Sequence, residues 1–118
     1  SKYINYLHKS NIEIHARSIF LQGLLLAPRA NIPKKFERWA SVWDVWHKWL
    51  LDNNLNAIDV CSNFVFSNKY ISKIIVGIDD DKSLLQIINS FKKKINFKIP
   101  NFKFSNNNLI NPFTWINL

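Results

Sequence analysis

The chain has 118 residues, 47% of them hydrophobic, which excludes a disordered chain and allows one domain of ordinary size. A formal net charge of +8 fits either an anionic partner, such as a nucleic acid, a membrane surface or a phosphorylated ligand, or plain solubilising charge, which we favour. The single cysteine, Cys61, excludes an internal disulfide framework and a cysteine-rich metal site, and we expect it to be a small buried side chain.

The first predicted element is the end of a helix over residues 1–10. Tyr3, Tyr6 and Leu7 share one face by their spacing, and Ser10-Asn11 follow as a break. The chain opens with Ser1 instead of Met and begins inside this helix, so we expect an N-terminal truncation.

A strand is predicted next, because apolar and polar residues alternate over residues 12–20. The pattern loosens at Ser18, where we place the end of the strand. One side carries Ile12, Ile14 and Ala16, and the other carries Glu13, His15 and Arg17.

A helix over residues 34–51 follows a loop at residues 28–35, with Asn31 as its candidate N-cap and Pro33 in its first turn. Its apolar stripe is aromatic, which fits either a binding platform or a helix face packed on a core, and we favour packing. His47 lies among these residues and needs no special role. The stripe consists of Phe36, Trp39, Trp43, Trp46 and Leu50.

The remaining elements are a helix over residues 55–68, an apolar strand over 71–78, a helix over 81–94 and a tail from Ile95. The β-branched strand is typical of one buried on both faces of a parallel sheet. Pro112 and Trp115 indicate that the tail packs against the rest of the chain. The predicted inner faces are Leu55, Ile58, Cys61 (or Ser62) and Val65 in the first helix, and Leu84, Leu85, Ile88 and Phe91 in the second.

Strands that alternate with helices predict a parallel α/β sheet. Two strands are too few for such a sheet, so we expect part of it to be absent from this chain. Ligands bind at the carboxyl ends of parallel strands, and polar clusters follow both strands: Arg17-Ser18 through Gly23, and Gly77 through Ser83. A glycine followed by a helix N-terminus is an anion site in principle.

The segments "RSIFLQGLLL" and "IIVGIDDDKSLLQII", with a tail ending "LINPFTW", resemble the C-terminal part of an aldo-keto reductase, from the bacterial branch with an RSxFLQGLL segment. The resemblance covers residues 1–118. It implies the C-terminal fragment of a single (β/α)₈ TIM-barrel domain whose N-terminal part is missing: two parallel strands, flanking helices and a C-terminal tail.

The resemblance further implies an NAD(P)H-dependent oxidoreductase acting on a small carbonyl or alcohol substrate, with this chain supplying part of the cofactor site. Arg17 stands where the family usually has a nicotinamide-stacking Tyr, and three aspartates follow Gly77. The choice between NADP and NAD therefore stays open. The implied cofactor-binding residues are Arg17, Ser18, Ile19, Phe20, Leu21, Gln22, Gly23, Gly77, Ile78, Asp79, Ser83 and Gln86.

The family's catalytic Asp, Tyr, Lys and His precede this region, so none is assigned here and we expect no activity from the chain alone. We assign no metal and no catalytic histidine. We expect a cytoplasmic protein with no membrane or nucleic-acid partner. Two alternatives stay open: a small basic module that binds single-stranded nucleic acid through its tryptophans and lysines, and a non-catalytic half-barrel that pairs with a partner chain.

Overall fold

The computed structural model describes residues 2–100 and 106–118. This part of the chain is mixed α/β, with five α-helices and two parallel strands, as the alternation of elements predicts. The helices are α1 (Lys2–Lys9), α2 (Ala40–Asp52), α3 (Ala57–Phe66), α4 (Asp81–Lys92) and α5 (Asn107–Ile110). The strands are β1 (His15–Arg17) and β2 (Lys73–Ile75), and 3₁₀ helices span Arg29–Asn31, Lys34–Trp39 and Pro112–Asn117.

The chain divides into two compact units. Unit 1 comprises residues 1–19 and 58–95, and unit 2 comprises residues 20–57 and 96–118. Unit 1 therefore holds the sheet, α1, α4 and nearly all of α3. Unit 2 holds α2, the 3₁₀ helices and the described tail. No helix in residues 2–100 or 106–118 has the length and apolar character needed to cross a membrane.

The two strands pair in parallel, in the register His15 with Lys73, Ala16 with Ile74 and Arg17 with Ile75. The prediction of neighbouring parallel strands is confirmed, although each is shorter than its apolar pattern. The end of β1 also falls where it was predicted, because Ser18 adopts a left-handed conformation with φ +57° that no strand can continue.

The expectation that β2 is buried on both faces is wrong for this chain. Lys73 is exposed, Ile74 is half-buried and Ile75 is 55% exposed. A β-branched apolar run is typical of a strand with both faces covered, but in the described residues the sheet has two strands only. The Ile75 side of β2 is therefore left uncovered within the described residues.

A buried pair of serines joins α3 and α4. Ser62 and Ser90 are fully buried, and their Oγ atoms lie 2.8 Å apart. The predicted inner face of α3 is partly confirmed, since Cys61 and Ser62 are both buried. The predicted face of α4 is wrong except at Phe91, which is half-buried beside Phe66. Its buried residues are Ile87 and Ser90, whereas Leu84, Leu85 and Ile88 are exposed.

Unit 2 is built around the aromatic stripe, and the packing interpretation of its tryptophans is confirmed. Trp43 is 1% exposed, and its Nε1 donates a hydrogen bond to the carbonyl oxygen of Phe36 at 3.1 Å. Trp46 Nε1 donates to the carbonyl of Leu25 at 3.0 Å. The main core cluster consists of Leu24, Ile32, Phe36, Trp39, Trp43 and Leu109.

The helix predicted over residues 34–51 is a 3₁₀ helix, Lys34–Trp39, followed by α2. Trp39 has φ −111° and ψ 26°, outside helical geometry, which separates the two elements. The prediction of Asn31 as N-cap is wrong. Asn31 ends the preceding 3₁₀ helix, and Pro33, which has no capping side chain, stands before Lys34.

The described tail packs against the rest of unit 2, and the prediction of a docked tail is confirmed for these residues. The Trp115 ring meets the Phe36 ring edge-on at 4.8 Å, and Trp115 Nε1 donates to the carbonyl of Leu109 at 3.0 Å. Lys35 Nζ donates to the carbonyl of Trp115 at 3.0 Å. The part of the predicted tail pattern at residues 101–105 lies outside the described residues.

Candidate functional site

The parallel register places two of the predicted polar clusters at one edge of the sheet. Arg17 and Ile75 are opposite one another at the carboxyl ends of β1 and β2. Residues 17–19 and residues 77–83 therefore leave the sheet at the same edge, and both belong to unit 1. We call this edge, defined by residues 17–19 and 77–83, the carboxyl edge.

The β1 side of the carboxyl edge presents a cation and a hydroxyl group. The side chains of Arg17 and Ser18 are both exposed, and Ile19 is half-buried. The left-handed φ of Ser18 is uncommon for a residue with a Cβ and turns the chain sharply out of the strand. A guanidinium and a hydroxyl next to each other can bind an anionic oxygen.

The β2 side offers open space at Gly77. An added Cβ there would meet no heavy atom within 4 Å, and the φ of Gly77 is not in the left-handed region. The described residues therefore give no steric or conformational reason for a glycine at this position. Ile78 and Asp79, which follow it, are exposed. The surface at Gly77 is open to the approach of a ligand.

The N-terminus of α4 is already capped by a side chain. The carboxylate of Asp80, the N-cap, accepts a hydrogen bond from the backbone N–H of Ser83 at 2.7 Å. That backbone hydrogen bond is the main cause of the lowered pKa of Asp80. The sequence analysis treats this helix N-terminus as an anion site in principle, and the structure shows that the Ser83 N–H is already taken by Asp80. The spacing of an aspartate three residues before Ser83 is a capping signal that could have revealed it.

Two further predicted residues lie on α4. Ser83 is half-buried in its first turn, and Gln86 is exposed on the next turn. With Asp79, Asp80 and Asp81, this side of the carboxyl edge carries three acidic side chains. Its charge opposes a phosphate group and suits hydroxyl groups that donate hydrogen bonds.

The other four predicted residues, 20–23, belong to unit 2 and form a left-handed turn. Leu21, Gln22 and Gly23 have φ of 49°, 52° and 83°. Such a turn strains residues that carry a Cβ and suits glycine. Both Leu26 and Ala27 donate backbone hydrogen bonds to the Gly23 carbonyl at 3.0 Å.

This turn has a structural role of its own. It directs Leu24 into the core of unit 2, with Phe20 and Leu21 half-buried and Gln22 and Gly23 exposed. The interruption of an apolar run by Gln22-Gly23 thus has a local physical reason, independent of any ligand.

Sequence reasoning did not single out two charged networks. In unit 1, Glu13 bonds to Lys73 at 2.8 Å and contacts His15, and the hydrogen bond from Lys73 is the main cause of the lowered pKa of Glu13. In unit 2, Arg29 bonds to Glu37 at 2.9 Å and to Asp44 at 2.6 Å. Among the described residues, no group of three or more His, Cys, Asp or Glu side chains is arranged to hold a metal ion.

Comparison with known proteins finds no relative. No protein-family model matches the chain, and no curated protein or solved structure is significantly similar to it.

Proposed function

We propose that this chain is the C-terminal part of a (β/α)₈ barrel of the aldo-keto reductase type, and that its carboxyl edge forms part of a nicotinamide-dinucleotide site. The observation that carries the proposal is the parallel pairing of β1 and β2, in which Arg17 lies opposite Ile75. This register brings Arg17, Ser18 and Gly77 to the end of the strands at which parallel α/β proteins bind ligands.

The fit of a dinucleotide differs between the two sides of the edge. On the β1 side, the Arg17 guanidinium and the Ser18 hydroxyl suit pyrophosphate oxygens, and the open surface at Gly77 permits close approach. On the α4 side, the Asp80 carboxylate already binds the Ser83 N–H. That side suits ribose hydroxyl groups better than a phosphate, so the proposal favours NAD(H) over NADP(H).

The chemistry of the proposed parent enzyme is hydride transfer between the cofactor and a small carbonyl or alcohol substrate. In this chain, Arg17 and Ser18 would bind and orient the cofactor. A guanidinium plane in place of the usual tyrosine can stack on a ring or pair with a carboxylate. In the proposed parent enzyme, the proton donor would come from strands of the barrel other than β1 and β2.

The exposed apolar surface of unit 1 supports an incomplete barrel. Ile75 on β2 and Leu85 on α4 are 55% and 60% exposed, and Ile78 and Ile88 are also exposed. Large apolar side chains left exposed favour association with a covering partner. Further strands and helices of a barrel would cover these side chains, as would a partner chain in the alternative of a non-catalytic half-barrel.

The burial of three tryptophans supports the dinucleotide proposal over the nucleic-acid alternative. The nucleic-acid alternative requires tryptophan rings on the surface for stacking with bases, but Trp39, Trp43 and Trp46 are buried in unit 2.

Fluorescence titration of the whole protein with NADH and NADPH tests the proposal of a dinucleotide site. Saturable binding with a preference for NADH is expected. If neither dinucleotide binds saturably, the proposed cofactor site is wrong and the alternative of a non-catalytic half-barrel remains.

A further inference from the structure

We propose that a groove at the amino end of β2 binds small aromatic carboxylates. The groove has a volume of about 340 Å³ and lies between the C-terminal ends of α3 and α4, over the first residues of β2. All its lining residues belong to unit 1. It lies at the opposite end of the strand from the carboxyl edge, so the inference does not rest on the proposed function. We call it the lysine groove.

The walls of the lysine groove are apolar and aromatic. Phe66, at the end of α3, and Phe91, near the end of α4, hold their rings 5.8 Å apart in a tilted arrangement. Ile71 and Ile74 are half-buried beside them. Phe66 is 66% exposed, which leaves much of its ring free to meet a ligand. An aromatic ligand can pack edge-on or offset against the exposed part of the Phe66 ring.

The polar lining is basic and neutral, with no carboxylate. It consists of Lys69, Lys73, Asn68 and Ser72. The Lys73 ammonium is paired with Glu13 at 2.8 Å. Lys69 forms no ion pair with any other described residue. Its Nζ lies 5.2 Å from the centre of the Tyr70 ring. Lys69 is therefore the cation available to an incoming anion.

The Asn68 side chain adds an amide donor beside Lys69. Its Oδ1 accepts the backbone N–H of Tyr70 at 3.1 Å, which fixes the side chain. The Nδ2 group of Asn68 can then donate hydrogen bonds to a ligand, because an amide has both an acceptor and two donor hydrogens. A carboxylate can accept one hydrogen bond from Lys69 and another from Asn68.

The size of the lysine groove selects among ligands with this chemistry. A volume of 340 Å³ is at the lower end of the range of ligand pockets, about 300–1,000 Å³. It suits one or two fused rings and is too small for a helix or a folded partner. The net charge of +8 adds a general attraction for anions.

The test uses naphthoate as the probe and naphthamide, its neutral isostere, as the matched control. Two-dimensional NMR amide spectra of the chain are recorded during each titration. We expect saturable shifts confined to residues 66–74 and the neighbourhood of Phe91, and binding of naphthamide about tenfold weaker than that of naphthoate. That factor corresponds to one charge-assisted hydrogen bond.

Three variants separate the contributions that the Lys69 charge, stacking on the Phe66 ring and non-specific attraction by the basic surface make to naphthoate binding. Lys69→Gln should weaken naphthoate binding about tenfold. Lys94→Gln, which changes another exposed lysine of unit 1, should leave it unchanged. Phe66→Ala should remove saturable binding while the spectrum stays folded, because Phe66 is largely exposed. Shifts scattered over the surface, equal affinity for naphthamide, or equal losses in the two lysine variants would each overturn the proposal.

Discussion

Ser62 on α3 and Ser90 on α4 hold their hydroxyl oxygens 2.8 Å apart in the interior of unit 1. The Ser90 hydroxyl can donate its one proton to the Ile87 carbonyl, 2.7 Å away. Ser62 can then donate to the Ser90 oxygen. Neither polar group is left unpaired, and the small side chains let the two helices approach closely.

Substitution of the two serines should have unequal effects. Ser90→Ala leaves the buried Ser62 hydroxyl without its partner and should lower the free energy of unfolding by about 1–3 kcal/mol. Ser62→Ala should cost less, because Ser90 keeps the Ile87 carbonyl. The double variant should be less destabilised than the sum of the two. Urea unfolding followed by circular dichroism measures this cycle, and additive losses would contradict the hydrogen bond.

Trp43 should matter for stability because it is packed in the core of unit 2. Trp43→Ala should lower the free energy of unfolding by about 3–5 kcal/mol, through loss of a buried aromatic side chain. Val45→Ala, at an exposed position of the same helix, should change it by about 0.5 kcal/mol or less. Equal denaturation midpoints for Trp43→Ala and the unmodified chain would show that the indole is not a core residue.

Cys61 should be inert in the native chain. Burial raises the pKa of its thiol to about 12, so very little reactive thiolate exists at neutral pH. We expect iodoacetamide to alkylate Cys61 slowly in the native state and at the ordinary rate of a free thiol in urea. Mass spectrometry of timed samples measures both rates. Similar rates in the two conditions would mean that the α3 interior opens readily.

The stability of unit 2 should fall in mild acid because of His47. Its Nε2 is buried, with no hydrogen-bond partner in the described structure. Burial is the main cause of the lowered pKa of His47, and the charge of Arg29 adds to it. The unfolded chain therefore takes up the proton at higher pH than the folded chain does. The contribution to stability is present above the ordinary imidazole pKa of 6.5 and is lost as the pH falls below it.

Urea unfolding across the imidazole range measures this effect, with His47→Gln as the variant. Its stability should depend less on pH than that of the unmodified chain, whereas His8→Gln, at an exposed position, should keep the full dependence. A stability that rises as the pH falls through this range would contradict the assignment to His47.

The sequence predicts those features that depend on local pattern. The alternation around His15 and the apolar run around Ile74 are enough to predict two strands, and the helices between them are enough to predict a parallel pair. The spacing of the tryptophans likewise predicts a packed helix face. These patterns depend on neighbours one to four residues apart.

Features that depend on distant partners are not predictable in this way. Ser90 looks like a surface residue of α4 until Ser62, 28 positions earlier, is seen to supply its hydrogen bond. For the same reason the apolar spacing of Leu84, Leu85 and Ile88 points to the wrong face. At the candidate site, the sequence places Ser18 and Gly77 near one edge. Charge alone does not say which of the three aspartates caps α4, but the spacing of Asp80 to Ser83 is a capping signal that the sequence does carry.

The cofactor site is tested most directly by fluorescence titration of the whole protein and its Ser18→Ala variant with NADH. Loss of a hydrogen bond to a charged phosphate group costs roughly 1.5–3 kcal/mol, so affinity should fall about ten- to a hundredfold. Ser41→Ala, at an exposed serine of α2, should bind NADH normally. A Ser18→Ala protein that remains folded and binds NADH as tightly as the unmodified protein would contradict a dinucleotide site at the carboxyl edge.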